Sequence, residues 1–147
     1  MARPVMIIAV DTREQRPYRF PRSEVKTLTA GDYSLVGLED RVAIERKSKA
    51  DAYSSLGSSR RRFERELQRL SQLDYAVVVI EATLHSFLVP PVFSHLRPES
   101  AIGTVLAWSV KYGVPFYFAS DRRHAQALTR NLLKYYWRYH GEAQLVG

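Results

Sequence analysis

The pattern of hydrophobic and polar positions along the chain predicts alternating strands and helices. Continuous apolar runs at residues 5–10 and 75–82 are rich in β-branched side chains, which is typical of strands buried on both faces. A glycine–aspartate turn at 31–32 and a short hairpin at 37–41 mark the ends of two further strands. Strands are therefore predicted over residues 5–10, 33–36, 42–47, 75–82 and 115–119.

Apolar positions at helical spacing lie between and after these strands. Helices are predicted over residues 49–56, with Ser48 as the cap, and over residues 60–72, with Ser58 or Ser59 as the cap. Pro98 begins another helix that ends near Gly113, and Asp121 begins the last one. The predicted buried positions are Phe63, Leu67 and Leu70, then Ile102, Val105 and Leu106, and finally Ala125, Leu128, Leu132 and Tyr136. Residues 83–97 are predicted as a loop with room for one helical turn, and the whole pattern favours a layered α/β sheet.

Length and composition narrow the class of protein. A chain of 147 residues fits one domain, residues 1–147, because two domains would each have an undersized core. The absence of cysteine excludes disulfides, zinc–thiolate sites and a catalytic thiol. Asp11 interrupts the N-terminal apolar run, and residues 75–82 are too few to span a bilayer. We therefore expect no membrane partner and an intracellular, cytoplasmic protein, associated with the nucleoid if bacterial, or encoded by a phage.

Positive charge is concentrated in two blocks. The net charge is +7, and residues 41–69 carry nine basic and four acidic side chains. Residues 122–147 carry five basic and one acidic side chain, whereas residues 70–121 carry two basic and four acidic ones. Two basic blocks on so small a domain fit a polyanionic partner, most simply nucleic acid, although a solvated basic surface that aids solubility fits as well.

Four carboxylates stand where predicted strands begin or end, and such positions rarely hold a carboxylate unless it is paired or binds a cation. Glu45 lies in an otherwise apolar strand, and Lys47 projects from the same face. Asp32 begins the partner strand of the hairpin, which brings it close to Glu45. Adjacent carboxylates repel each other unless a divalent cation lies between them, and oxygen ligands favour Mg²⁺ or Mn²⁺. The four residues are Asp11, Glu14, Asp32 and Glu45.

Spacing alone leaves two interpretations of these groups open. Glu45 and Lys47 form either a metal site, with a lysine that orients water or stabilises phosphate charge, or a surface ion pair on an edge strand. The arginine-rich helix over residues 60–72 poses a similar choice. Its arginines either pair with Glu64 and Glu66 on a solvated face, or they bind phosphate.

The order of the motifs resembles that of the XPF/Hef/Mus-type structure-specific nucleases. Gly31-Asp32 precedes a strand, and Glu45-Arg46-Lys47 is followed after three residues by Asp51, as in the signature of that family. Asp11-Thr12-Arg13-Glu14 follows the first strand, and an arginine-rich helix with a phenylalanine begins at Arg60. The resemblance covers about residues 5–82 strongly and the remainder only in the order of elements.

The resemblance implies a three-layer α/β/α restriction-endonuclease-like nuclease core, of the PD-(D/E)XK type, with a mixed central sheet. It implies Asp32 and Glu45 as the main metal ligands, Asp11 and Glu14 as further acidic residues near the metal, and Lys47 as the catalytic lysine. Arg46 matches a motif position with a catalytic or structural role, and Asp51 matches one with a structural role. The residues expected to contact DNA are Arg13, Arg60, Arg61, Arg62 and Arg65.

We therefore expect a Mg²⁺-dependent endonuclease, with Mn²⁺ as a substitute, that hydrolyses phosphodiester bonds in branched or flap DNA. The alternatives are a non-catalytic DNA-binding subunit, in which acidic motif residues are usually lost, and an assembly protein that keeps the fold alone. The family tends to dimerise through the later part of the domain, which implies a homodimer. The aromatic residues that would serve as core or as a subunit contact are Tyr135, Tyr136, Trp137 and Tyr139.

Overall fold

The computed structural model describes residues 4–141 as a six-stranded sheet with helices on both faces. The strands are β1 (Ile8–Asp11), β2 (Ser23–Lys26), β3 (Tyr33–Leu35), β4 (Val42–Ser48), β5 (Tyr75–Glu81) and β6 (Phe116–Phe118). The helices are α1 (Lys49–Leu56), α2 (Arg60–Ser71), α3 (Leu84–Phe87), α4 (Pro98–Tyr112) and α5 (Arg122–Tyr136). A short π-helix over Trp137–Gly141 continues α5.

The sheet is mixed, as the resemblance implied. Its strand order is β2-β1-β3-β4-β5-β6, with β1 parallel to β2 and antiparallel to β3. The β3–β4 pair is antiparallel, and β4, β5 and β6 run parallel. This arrangement brings the ends of β1, β4 and β5 and the beginning of β3 to one end of the sheet.

Alternation along the central strands divides the core into two halves. Ala43 and Val78 belong to the cluster that contains the buried residues of α1, α2 and α4. Ile44 and Val79 belong to the cluster on the other face, which contains the buried residues of α5. Since successive strand residues point to opposite faces, each half-core is covered by its own helices, and the α/β prediction is confirmed.

Two local predictions were wrong for identifiable reasons. The edge strand β2 was missed, because its four residues are polar or exposed and it gains order only by pairing with β1. In α4 Val105 is buried and Ile102 packs against the core as predicted, but Leu106 is 60% exposed. Ala101 and Trp108 are the other buried residues of this helix. The large indole of Trp108 fixes the rotation of this helix.

Smaller differences concern the ends and sides of elements. The first strand begins at Ile8 rather than at Val5, which is exposed. In α5 the buried residues include Thr129 and Leu133, and the predicted Leu128 and Leu132 lie partly buried beside them. Residues 83–97 contain one helical turn, α3, as predicted. Among the described residues, no helix is both long and apolar enough to cross a membrane.

Candidate active site

The approach of Asp32 to β4 depends on the glycine that precedes it. Gly31 has a φ of +76°, and a Cβ added there would lie 2.8 Å from the Cβ of Ala43. The Asp32 N–H donates to the carbonyl of Ile44 at 2.9 Å, and its carboxylate accepts from the Arg46 N–H at 2.7 Å. These bonds hold the Asp32 side chain beside Glu45 on the neighbouring strand.

Asp32 and Glu45 form a pair of largely buried carboxyl groups. Burial raises the pKa of Asp32 to about 6, although hydrogen bonds from Arg46 and Glu45 oppose the shift. Burial and the adjacent Asp32 charge raise the pKa of Glu45 well above its usual value. The side chains of Asp32 and Glu45 are hydrogen-bonded to each other, and the closeness of the two carboxyl groups disfavours ionisation of both. A cation bound between them would favour the ionised form of each.

Lys47 lies beside this pair on the same face of β4. Its Nζ is 3.6 Å from Oε2 of Glu45, and the two side chains are only 14% and 12% exposed. The Lys47 ammonium also lies 4.7 Å from the centre of the Phe63 ring of α2. The pair is thus sheltered, which disagrees with the alternative of an exposed surface ion pair.

Asp11 lines a cavity together with Asp32 and Glu45, but its carboxylate is bonded to other groups. It accepts from Arg13 Nε at 2.9 Å, from Arg13 Nη2 at 3.2 Å and from the Leu28 N–H at 2.8 Å. Burial acts to raise the pKa of Asp11, but the bonds from Arg13 and Leu28 outweigh it and leave the pKa below its usual value. Asp11 therefore fixes the position of the Arg13 side chain and of the loop over residues 27–32 through hydrogen bonds.

Arg46 points to the opposite face of β4 from Glu45 and enters a second charged cluster. Its Nη2 lies 3.1 Å from Glu81 Oε1, and its Nη1 lies 3.4 Å from Glu14 Oε1. The Tyr18 hydroxyl donates to Glu81 Oε2 at 2.7 Å. Arg122 Nη1 lies 3.9 Å from the same carboxylate. This cluster ties the 12–22 loop to β4, β5 and α5.

Glu81 and Glu66 are site residues that sequence reasoning missed. Glu81 ends an apolar run, and the sequence gives no sign that its register partner on β4 is Ser48, next to the motif. Glu66 accepts from the Gly31 N–H at 2.9 Å and pairs with Arg69, so it supports the turn that presents Asp32. The sequence predicted for Glu66 only an ion pair with arginines of its own helix.

The arginines of α2 have different surroundings. Arg60 donates to the Leu56 carbonyl and to Thr104 Oγ1, both at 3.1 Å, and its guanidinium stacks 4.6 Å from the Trp108 ring. Arg62 instead lines the cleft that contains Asp32 and Glu45. Arg61 and Arg65 are exposed on the same helix.

A cleft of about 550 Å³ opens over the carboxyl pair. Its wall combines basic groups with the hydroxyl groups of α1 and of the α1–α2 turn. Those lining groups are Arg13, Arg16, Arg46, Lys47, Arg62, Ser48, Ser54, Ser55 and Ser59. Glu14 and Asp51 complete the wall. The cleft is wide and basic enough to accept a phosphate backbone, which would then face the carboxyl groups of Asp32 and Glu45.

Two carboxylates of this site, those of Asp32 and Glu45, could hold a metal ion. No group of three or more histidine, cysteine, aspartate or glutamate side chains within residues 4–141 is arranged to hold one. Mg²⁺ is commonly held by one or two carboxylates, with water and substrate phosphate as the other ligands. The Asp32–Glu45 pair fits that mode.

Comparisons with known proteins agree with this fold. The family model named ERCC4 domain matches residues 10–132. The solved structure of XPF from Aeropyrum pernix has a TM-score of 0.71 and 22% identity, covering 91% of this chain and 63% of that one. XPF from Aeropyrum pernix in complex with DNA has a TM-score of 0.71 and 21% identity, covering 91% and 66%.

The matched structures are longer than this chain, which spans slightly less than two thirds of each of them. None of the curated proteins matches. The family match covers the motif residues from β1 through most of α5, and the sheet agrees with the solved XPF fold. The chain therefore belongs to the ERCC4 domain family and has the fold of the solved XPF structures.

Proposed function

We propose that this protein is a divalent-metal-dependent DNA endonuclease that hydrolyses phosphodiester bonds, with branched or flap DNA as its substrate. The observation that carries the proposal is the largely buried Asp32–Glu45 pair beside Lys47, inside a cleft lined by arginines. Carboxyl groups with strongly raised pKa values are concentrated at sites of binding or catalysis. A XPF structure in complex with DNA supports nucleic acid as the partner.

Asp32 and Glu45 are the proposed ligands of Mg²⁺, for which Mn²⁺ would substitute. A bound divalent cation would lower the pKa of a water molecule and offset charge on the phosphate. Asp11 and Glu14 take supporting parts in this proposal, because Asp11 is bonded to Arg13 and Glu14 lies against Arg46. This assignment narrows the four acidic residues of the motif to two direct ligands.

Lys47 is proposed to orient the attacking water or to stabilise charge on the phosphate. Its ammonium is held by Glu45 and by the Phe63 ring, so it is positioned before substrate arrives. A preorganised charge of this kind costs little reorganisation at the moment of reaction. Arg46 is proposed to hold the cleft wall in place, since its guanidinium faces Glu14 and Glu81.

The proposed DNA path runs over the beginning of α2. This helix begins with three arginines, its first turn contains no acidic residue, and Ser59 makes no side-chain capping bond. Cations beside the positive end of a helix dipole are unfavourable unless an anion compensates them. A DNA phosphate at Arg62, with Arg61, Arg65 and Arg13 nearby, would supply that compensation. Arg60 takes a structural part because it is stacked on Trp108.

A cleavage panel tests the proposal. Labelled single strands, duplexes, 5′ and 3′ flaps, forks and four-way junctions are incubated with Mg²⁺, Mn²⁺ or EDTA. We expect cleavage near the branch with either metal and none in EDTA. Asp32→Asn is the negative control, because it removes a ligand charge at nearly constant volume. Binding without cleavage in every metal would favour the non-catalytic DNA-binding subunit instead.

A further inference from the structure

Five large apolar side chains are exposed on the segment between β5 and α4. Val92 is fully exposed and Phe93 is 57% exposed. Hydrophobic residues exposed singly are ordinary, but a contiguous group marks a contact surface. We call this group the apolar tip. It comprises Leu84, Leu88, Val89, Val92 and Phe93.

The apolar tip stands on a firm base. The Phe87 ring is buried and lies 5.0 Å from the Tyr53 ring and 5.2 Å from the Phe118 ring. The Tyr53 hydroxyl donates to the Phe87 carbonyl at 2.6 Å. Pro90 and Pro91 then restrict the backbone before Val92. The segment that carries the exposed side chains is therefore anchored to the core through Phe87.

The apolar tip lies at the same end of the sheet as the carboxyl pair. Lys49 Nζ donates to the Val89 carbonyl at 2.9 Å and to the Ser86 carbonyl at 3.3 Å. Lys49 directly follows Ser48, which lines the cleft.

Helix α1 contributes Asp51, Ser54 and Ser55 to the cleft and Tyr53 to the base of the tip. The cleft and the base of the tip therefore lie on different sides of one helix, which is ~10 Å across. A duplex, whose major groove alone is ~12 Å wide, is broad enough to reach across it.

Charge around the apolar tip favours a polyanion. Residues 83–97 contain no aspartate or glutamate, and Arg97 is exposed at their end. Lys49 adds a cation at the base, where Glu99 is the acidic residue that acts on Tyr53. Proteins that enter a base stack combine an apolar side chain with basic ones, since the cations contact phosphates while the apolar group replaces a stacked neighbour.

We propose that the apolar tip inserts against the unstacked bases at the branch of the DNA held in the cleft, with Phe93 as the stacking side chain. This inference rests on the proposed function, because it takes DNA as the occupant of the cleft. It assigns recognition of branched over linear DNA to this segment. Bases at a branch lack one stacked neighbour, so an inserted apolar group meets less resistance there than within a duplex.

The test measures binding in EDTA, so that it does not depend on catalysis. A fork and a linear duplex of the same sequence carry 2-aminopurine at the branch position, and affinity and fluorescence are recorded. Val92→Ser/Phe93→Ser is compared with Leu106→Ser/Val110→Ser, an exposed apolar pair on α4. We expect wild-type protein to lower the 2-aminopurine fluorescence of the fork, because a base that stacks on Phe93 is quenched. The tip variant should lose that decrease and about tenfold of the preference for the fork, while the α4 variant keeps both.

Other outcomes separate this proposal from the proposed function. Wild-type protein that neither binds nor cleaves any DNA refutes the proposed function. Wild-type protein that cleaves, with a tip variant equal to the α4 variant in fork preference and fluorescence, refutes the role of the tip alone. A tip variant that changes mass in light scattering but not DNA binding shows a protein contact and also overturns the proposal.

Discussion

The residues that would bind metal are also expected to limit stability. The pKa of Asp32 is raised to about 6 in the fold, mainly by burial, whereas an unfolded aspartate titrates near ~4. A raised carboxyl pKa means that the folded state binds the proton more tightly than the unfolded state. The stability that this group contributes is complete below pH ~4 and is lost as the pH rises through about 6. Metal-free protein should therefore be weakened at neutral pH.

Asp32→Asn should remove this penalty. We expect the variant to melt roughly 5 °C above wild type at pH 7.5 in EDTA, and the difference to shrink at pH 4.5. The same variant should lose cleavage. The measurement is thermal unfolding of both proteins at the two pH values. Equal melting temperatures at pH 7.5 would mean that the ionised Asp32 carboxylate does not destabilise the folded state.

Lys47→Met separates a role in chemistry from a role in packing. The side chain keeps most of its length against Phe63 but loses the charge beside Glu45. We expect single-turnover cleavage to fall by roughly 10²–10³-fold. DNA affinity should fall only modestly and the melting temperature should barely change. Lys111→Met, at an exposed lysine that pairs with Glu64, is the control. A Lys47→Met rate within a few-fold of wild type would remove this lysine from the mechanism.

At the residue scale, motif spacing predicted which side chains would lie together where the partners are close in sequence. The hairpin that joins Asp32 to Glu45 spans few residues, and strand alternation correctly places Glu45 and Lys47 on one face. Sequence could not show that Arg46 would meet Glu81, because that contact depends on the parallel register of β4 with β5. Pairing between distant strands is set by the packing of the whole sheet.

Glu81 supports the interpretation of Arg46 as a positioning residue, and its removal is a test at the element scale. Glu81→Ala leaves the Arg46 guanidinium without its principal partner and the Tyr18 hydroxyl without an acceptor. Breaking a buried ion pair costs roughly 3 kcal/mol, so we expect destabilisation of that order. Glu39→Ala, at a more exposed pair with Lys26, should cost less than ~1 kcal/mol. Denaturant unfolding measures both. An equal fall in the free energy of unfolding for both variants would show that the contacts of Glu81 do not stabilise the fold more than an exposed pair does.

The arginines of α2 are expected to differ in effect according to the side of the helix on which they lie. Arg62→Gln should flatten the slope of log affinity against log salt by about one unit, because one phosphate contact is lost. Arg60→Gln should leave that slope unchanged and should lower stability by roughly 0.5–1 kcal/mol, through its contact with Trp108. Salt titrations of DNA binding and denaturant unfolding give the two numbers. A slope changed by Arg60→Gln alone would move the DNA path to the α4 side.

Element prediction succeeded where burial decides the structure. The buried strands β4 and β5 and the amphipathic helix α2 follow directly from their apolar patterns. The exposed strand β2 carries no such pattern, since only its hydrogen bonds to β1 define it. The rotation of α4 depended on where one indole fits, which residue counts cannot show. Prediction failed, therefore, where tertiary contacts outweigh local pattern.

At the scale of the whole molecule, the proposed chemistry and the proposed DNA contacts share one end of the sheet. The opposite end, where β4 and β5 begin, has a cavity of about 450 Å³ with a different character. Its wall is largely aromatic and includes Tyr75, Tyr135, Tyr136 and Tyr139. Tyr136 is buried in the core, but Tyr135 and Tyr139 remain exposed. The sequence predicted the C-terminal aromatic residues as core or as a subunit contact. Tyr136 belongs to the core, and the exposed Tyr135 and Tyr139 stay available for a contact.

The two exposed tyrosines favour self-association through this end, which would leave both DNA clefts open. We expect light scattering to give twice the chain mass of 16.9 kDa at micromolar concentrations, because two-fold dimers are the commonest closed assembly. Tyr135→Ser/Tyr139→Ser should shift the equilibrium to monomer by removing apolar area from the contact. Tyr117→Ser is the control, since Tyr117 is similarly exposed but lies on the edge strand β6. A monomer in wild-type protein refutes the dimer. A dimer that only Tyr117→Ser dissociates places the contact at the sheet edge, because a strand there still has unpaired backbone groups to offer a second copy.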